Sequence, residues 1–161
     1  MRRAAYFDES PEGWTQENNP QMEIDNQALL QHAIKVTQKA REVAQTRRDW
    51  EFMGYVGAAL VTAGGNLYTG INVSVYCGIG FCAEHSAVSE MIKNGETNIR
   101  KIVAATAKGE ILPPCGRCRE LLFQVDASNL GTTVILDVGE QPLRNLLPHN
   151  WQDYFDKPLT R

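Results

Sequence analysis

The sequence predicts an α/β protein: a three-layer α/β/α sandwich on a mixed sheet of about five strands. Two observations carry this. Segments with a helical apolar period alternate with short β-branched runs in the order helix, hairpin, helix, strand, helix, strand. Glycine, proline and asparagine clusters at 64–66, 78–80, 94–95 and 113–114 fall between those segments. The 161 residues suffice for one domain with a real core.

Residues 25–48 carry the clearest helical pattern. Leu29, Ala33, Val36, Ala40 and Val43 form a stripe that Leu30 and Ile34 widen. Asp25 is placed to cap its start, and Lys39, Arg47 and Arg48 suit the dipole of its later part. Small and β-branched residues from Tyr55 to Thr62 read as a strand. Gly64-Gly65-Asn66 is a turn, and Leu67 to Val73 is the returning strand of a hairpin. A loop with Gly78 and Gly80 leads to a helix that starts at Cys82 and ends near Lys93-Asn94-Gly95. Ile99 to Ala107 reads as a buried strand. A loop through Pro113-Pro114 opens a helix from Cys115 to about Val125. Thr132 to Asp137 reads as a strand, and Pro142 to Leu147 as a short helix closed by Pro148.

The ends differ from this centre. Residues 1–21 are polar and irregular, an N-terminal arm with Tyr6, Phe7 and Trp14 as anchors. Residues 22–161 form the catalytic domain with a C-terminal tail bearing Trp151, Tyr154 and Phe155. The formal charge of −3 and pI near 5.6 argue against a nucleic-acid partner. No apolar run approaches a membrane span, and the start lacks the apolar core of a secretory signal. A cytoplasmic protein is expected, where thiols stay reduced.

The chemistry gathers between Cys82 and Cys118. Cys82-Ala83-Glu84 is followed downstream by Pro114-Cys115-Gly116-Arg117-Cys118. Cys-x-x-Cys puts two sulfurs of one segment on one tetrahedral Zn²⁺, and three protein ligands leave a fourth position open, as catalytic sites do. Cys82, Cys115 and Cys118 are therefore the candidate zinc ligands. Glu84 is the candidate proton carrier, close to the metal without ligating it. Ala87, Val88, Met91 and Ile92 follow Glu84 on one helical stripe, as Leu121, Leu122 and Val125 follow Cys118, so both helices aim their chemical residue inward. Cys77 is expected to be a small buried hydrophobe. As the fourth ligand it would instead make the site structural. A redox Cys115-x-x-Cys118 pair is a further alternative.

These motifs follow the signature of the zinc deaminases of nucleobases. On them, and on Val56-Gly57-Ala58-Ala59-Leu60, Thr69-Gly70-Ile71-Asn72-Val73 and Leu146-Leu147-Pro148, the chain resembles the cytidine deaminase family. It is similar to its small single-domain members, including the blasticidin S deaminase branch. The resemblance implies a zinc hydrolase that replaces the exocyclic amine of a cytosine ring by oxygen, with Zn²⁺ on the three cysteines and protons moved by Glu84. It also implies sugar contacts at Asn72, a backbone contact to the base at Ala83, and a homotetramer with sites built at subunit contacts.

Three departures bear on the substrate. His85 stands where the family often has an arginine. Asn72-Val73-Ser74 replaces the usual Asn-x-Glu, so Ser74 occupies the place of the sugar-binding carboxylate. Gly54 stands where the family often has a phenylalanine. Ser74 and Gly54 together predict a roomier pocket, weak on plain cytidine and better on a modified cytosine nucleoside. Cytidine or deoxycytidine, blasticidin S, and an idle zinc-binding scaffold are the competing functions. Arg117 and Arg119 read either as solvated or as subunit contacts.

Overall fold

A computed structural model describes residues 24–45 and 53–150. The predicted arm, the aromatic residues beyond position 150, Arg47 and Arg48 lie outside the described residues. Helix α1 spans Asn26–Gln45, and the hairpin is β1 (Met53–Thr62) with β2 (Leu67–Val73). Helix α2 (Ala83–Lys93), strand β3 (Ile99–Thr106), the short β4 (Ile111–Leu112) and helix α3 (Gly116–Val125) follow. Strands β5 (Thr133–Leu136) and β6 (Gly139–Pro142) and the single turn α4 (Leu143–Leu146) complete the order.

The sheet is mixed and has six strands, in the order β2-β1-β3-β5-β6, with β4 also pairing β3. Only β3 and β5 pair in parallel. Six strands agree with the expectation of about five, but the segments read along the chain missed β4 and β6. The first is only Ile111-Leu112, and the second, Gly-Glu-Gln-Pro, has no apolar alternation to read.

Side-chain alternation along the central strands makes the layers. Ala58 and Leu60 of β1 and Ile102 and Ala104 of β3 pack with Ala87, Val88 and Met91 of α2 and Leu122 of α3. Ala59 and Val61, with Val103 and Ala105, pack with Leu29 and Ala33 of α1. The central strands are thus buried on both faces, as their continuous apolar runs require. Asp25 caps α1 as expected, its Oδ1 accepting from Ala28 N at 2.7 Å.

Two glycines set how closely helices approach the hairpin. A Cβ on Gly57 would stand 2.1 Å from the Ala33 carbonyl oxygen of α1. A Cβ on Gly70 would stand 2.3 Å from Ala87 N and 2.5 Å from Ala83 O of α2. Gly70 therefore fixes the height of the helix that carries Glu84. At the other end of the sheet, buried Asn129 accepts from Ile99 N at 2.7 Å and donates to Leu122 O at 2.9 Å and Thr97 O at 3.0 Å. That side chain pins α3 to the start of β3.

Gly70→Ala is expected to destabilise the fold by about 1–3 kcal/mol, because the backbone of α2 must move to admit one methyl group. Urea unfolding measures it. A midpoint equal to the parent's would show that α2 does not rest on this glycine.

Candidate active site

Cys82 and Cys115 are the residues immediately before α2 and α3. Both have extended backbone, and their carbonyls accept the first helical bonds, from His85 N at 3.1 Å and Arg119 N at 3.0 Å. Two helix starts therefore converge on one place. A two-way backbone bridge, Val73 N to Phe81 O at 2.9 Å and Phe81 N to Val73 O at 2.8 Å, closes the 74–80 loop and sets Cys82 beside the end of β2. Arg119 donates from Nε to Pro114 O at 2.7 Å and from its guanidinium to Leu146 O at 3.0 Å. It is half-buried and joins the cysteine-bearing loop to α4 within the chain.

The three predicted sulfurs come together. Sγ of Cys82 lies 3.7 Å from that of Cys115, which lies 3.4 Å from that of Cys118. All three lie within 4.8 Å of one another. A tetrahedral zinc with Zn–S near 2.3 Å spaces its sulfurs about 3.8 Å apart, so the cluster fits that ion. The electrostatics agree. Burial pushes the Cys118 thiol well up, and the neighbouring Glu84 carboxylate adds to it. Burial raises Cys82 as well. Burial also acts on Cys115, but hydrogen bonds from the Cys118 and Arg117 backbone N–H groups and from the other two thiols outweigh it and leave Cys115 below the usual thiol range. A cation among the sulfurs offsets the charge that burial resists.

Glu84 is 5 % exposed and lies in the first turn of α2. Burial raises its carboxyl above the usual range, against lowering by its own backbone N–H and by Cys118. It shares a cleft of about 470 Å³ with Cys82, Cys115, Ala83, Asn72 and Ser74. Asn72 is already tied in place: Oδ1 accepts from Val56 N at 2.8 Å, and Nδ2 donates to Ser74 Oγ at 3.0 Å.

Three expectations fail here. Cys77 is exposed, with φ +62° in the loop after β2, and is outside the sulfur cluster. The loop reverses before Phe81 returns to β2, which turns Cys77 away from the core. Gly54 does not line the cleft: a Cβ there would lie 2.7 Å from Ala40 Cβ of α1, on the opposite face of the sheet. A register shift between Met53 and Gly57 breaks the alternation that would have put residue 54 on the side of Val56. A wider pocket therefore cannot be credited to Gly54. Ile92, expected on the buried stripe of α2, is 47 % exposed.

Other residues were not legible as site residues. Val56, Phe81, Ala104, Leu112 and Pro113 form the cleft's apolar wall, and Arg117 also lines it. Val56 was findable by counting back two from Ala58. Ala104 and Leu112 meet only through the β3–β4 pairing. His85 is half-buried, with Nε2 covered and lacking a hydrogen-bond partner among the described residues. Burial, then the Arg117 charge, lowers its pKa.

Comparison with known proteins decides the family. Residues 25–133 match the family described as the cytidine and deoxycytidylate deaminase zinc-binding region. The chain belongs to this family. It is 34% identical over 90 residues to a probable cytidine deaminase of Dictyostelium discoideum, covering 52% of this chain and 60% of that protein. It is 31% identical over 77 residues to a blasticidin-S deaminase of Bacillus cereus, covering 42% of this chain and 55% of that one. The matched stretch thus spans less than two thirds of each of these two relatives. The crystal structure of cytidine deaminase from Mycobacterium tuberculosis superposes with a TM-score of 0.66 at 27% identity, over 80% of this chain and 98% of that one. The mixed α/β sheet is the fold of that enzyme.

One zinc per chain is expected, lost in Cys118→Ser and fully kept in Cys77→Ser. Metal analysis of the purified variants measures both, and loss of zinc on replacing Cys77 would overturn the three-sulfur site.

Proposed function

We propose that this chain is a zinc-dependent aminohydrolase that converts the cytosine ring of a nucleoside to its uracil form with release of ammonia. One observation carries the proposal: the three-sulfur cluster and the buried Glu84 carboxylate meet in a cleft of nucleoside size. Zinc held there by Cys82, Cys115 and Cys118 supplies a water made nucleophilic near neutral pH. Glu84, buried in the same cleft, would carry a proton from the attacking water to the ring nitrogen N3 and later to the departing amine. Its buried position favours proton exchange over permanent ionisation. Val56, Phe81, Ala104 and Leu112 give the flat ring an apolar slot, and the Ala83 backbone holds its polar edge. Asn72 has one amide N–H on Ser74 Oγ and another left for a sugar hydroxyl.

Cytidine, deoxycytidine or a modified cytosine nucleoside is the substrate class, and the setting is nucleoside metabolism and pyrimidine salvage in the cytoplasm. Ser74 favours the modified substrate, because a neutral hydroxyl does not reproduce a carboxylate's charge-assisted bond to ribose hydroxyls. A blasticidin-type substrate is the second reading, supported by the same serine and by the Bacillus cereus relative. An idle zinc scaffold explains the sulfurs but gives Glu84 no reason to be buried beside them.

The catalytic domain in this proposal covers residues 22–161, with 1–21 as an arm, and assembles as a homotetramer. Support comes from the cleft's mouth, where Val75, Tyr76, Ile79 and Phe81 are 45, 81, 73 and 38 % exposed. Such an apolar cluster suits a subunit contact. Among the described residues, no helix is long and apolar enough to cross a membrane.

Glu84→Gln is expected to keep zinc and thermal stability while losing about a hundred- to ten-thousandfold in kcat. Ammonia release by zinc-loaded protein tests it, and near-parental turnover would refute the proton role. Light scattering at micromolar concentration is expected to give the mass of four chains. A single-chain mass would remove the tetramer.

A further inference from the structure

Arg117 is used by nothing described so far. It lies between two zinc-binding cysteines, it is exposed, and it lines the cleft. Among the described residues that line the cleft it is the only lysine or arginine. Among the described residues its guanidinium makes one hydrogen bond, a donation to Gly80 O at 3.3 Å, beyond the usual N–H···O distance. Among the described residues the only ion pair is Lys101 with Glu140, so no carboxylate there engages Arg117.

The end of β2 and the 74–80 loop, on which Arg117 rests, carry the complementary change. Asn72 and Ser74 present an amide and a hydroxyl and no carboxylate. Burial sorts the lining into a floor and a rim. Glu84 and Ala83 are buried below, while Ser74 and Arg117 are exposed above. A base seated over the sulfurs would leave its sugar at the rim, beside the neutral Ser74 and the Arg117 guanidinium. That rim repels no anion and has donors for one. A guanidinium fork matches the oxygens of a carboxylate or phosphate.

We propose that Arg117 is a substrate-binding residue that reads an anionic group on the sugar, so that the preferred substrate is a cytosine nucleoside bearing a phosphate or a carboxylate. This rests on the deaminase reading above. The anion also explains why a carboxylate is absent from position 74: a glutamate on the rim would compete for Arg117 and repel the substrate.

The test compares zinc-loaded parent, Arg117→Gln and Arg117→Lys on four probes: cytidine, cytidine 5′-monophosphate, deoxycytidine 5′-monophosphate, and a cytosine nucleoside whose sugar carries a carboxylate at C5′. The parent is expected to favour at least one anionic probe over cytidine by about tenfold or more in kcat/KM, mostly through KM. Preference for the phosphates or for the C5′ carboxylate identifies which anion the fork accepts, and either supports the inference. Arg117→Gln should bring the anionic-to-neutral ratio near one, and Arg117→Lys should keep part of it. Zinc content measured on each variant separates this from a structural role. Equal loss on all probes, or a parent that handles cytidine as well as any anionic probe, overturns the inference and leaves the deaminase reading intact. No ammonia from any probe overturns both.

Discussion

Three sulfurs and a carboxylate crowded at the edge of the core repel one another once ionised, and the site depends on meeting that repulsion. Cys118 is wholly buried and Glu84 nearly so; burial makes both reluctant to ionise, and the Glu84 carboxylate adds to the reluctance of Cys118. Zinc is the family's answer, and the sulfur spacing of 3.4–3.7 Å suits it. The protein adds a smaller contribution of its own. Backbone N–H groups at the start of α3 point at Cys115 and make it the readiest thiolate of the three.

Holding such a cluster requires rigid delivery. Both cysteine-bearing segments end where helices begin, so the ligands sit at the firm base of each helix. Gly70 lets α2 settle onto β2, and Asn129 holds the far end of α3. Arg119 and the Val73–Phe81 bridge fasten the two intervening loops. Packing energy from both faces of the sheet thereby supports a site that is electrostatically costly.

The helices and the hairpin were legible because their signals are local. The stripe from Leu29 to Ala40 has the period of α1, and Gly64-Gly65-Asn66 marks the turn between β1 and β2. The ligand set was legible for a different reason: two motifs of fixed spacing leave few ways to surround one metal. Strands β4 and β6 were not, because pairing and not side-chain pattern makes them strands. Cys77 misled because a free cysteine is usually buried, and nothing in its neighbours announced a left-handed turn at φ +62°.

By itself the sequence determined the chemistry: three thiolates, one carboxylate, and the two helix starts that carry them. Covalent spacing and helical period act over a few residues, so they survive without knowledge of the fold. Only the tertiary structure decided which side chains share the cleft. Gly54 went to α1 because a register shift turned it over, and Asn72 was pinned by a backbone N–H sixteen residues away. Arg117 came to the cleft's rim because loop 74–80 folds back to meet α3. These contacts join residues far apart in the chain. Sheet register and loop closure set them, and neither is written in any local run of residues.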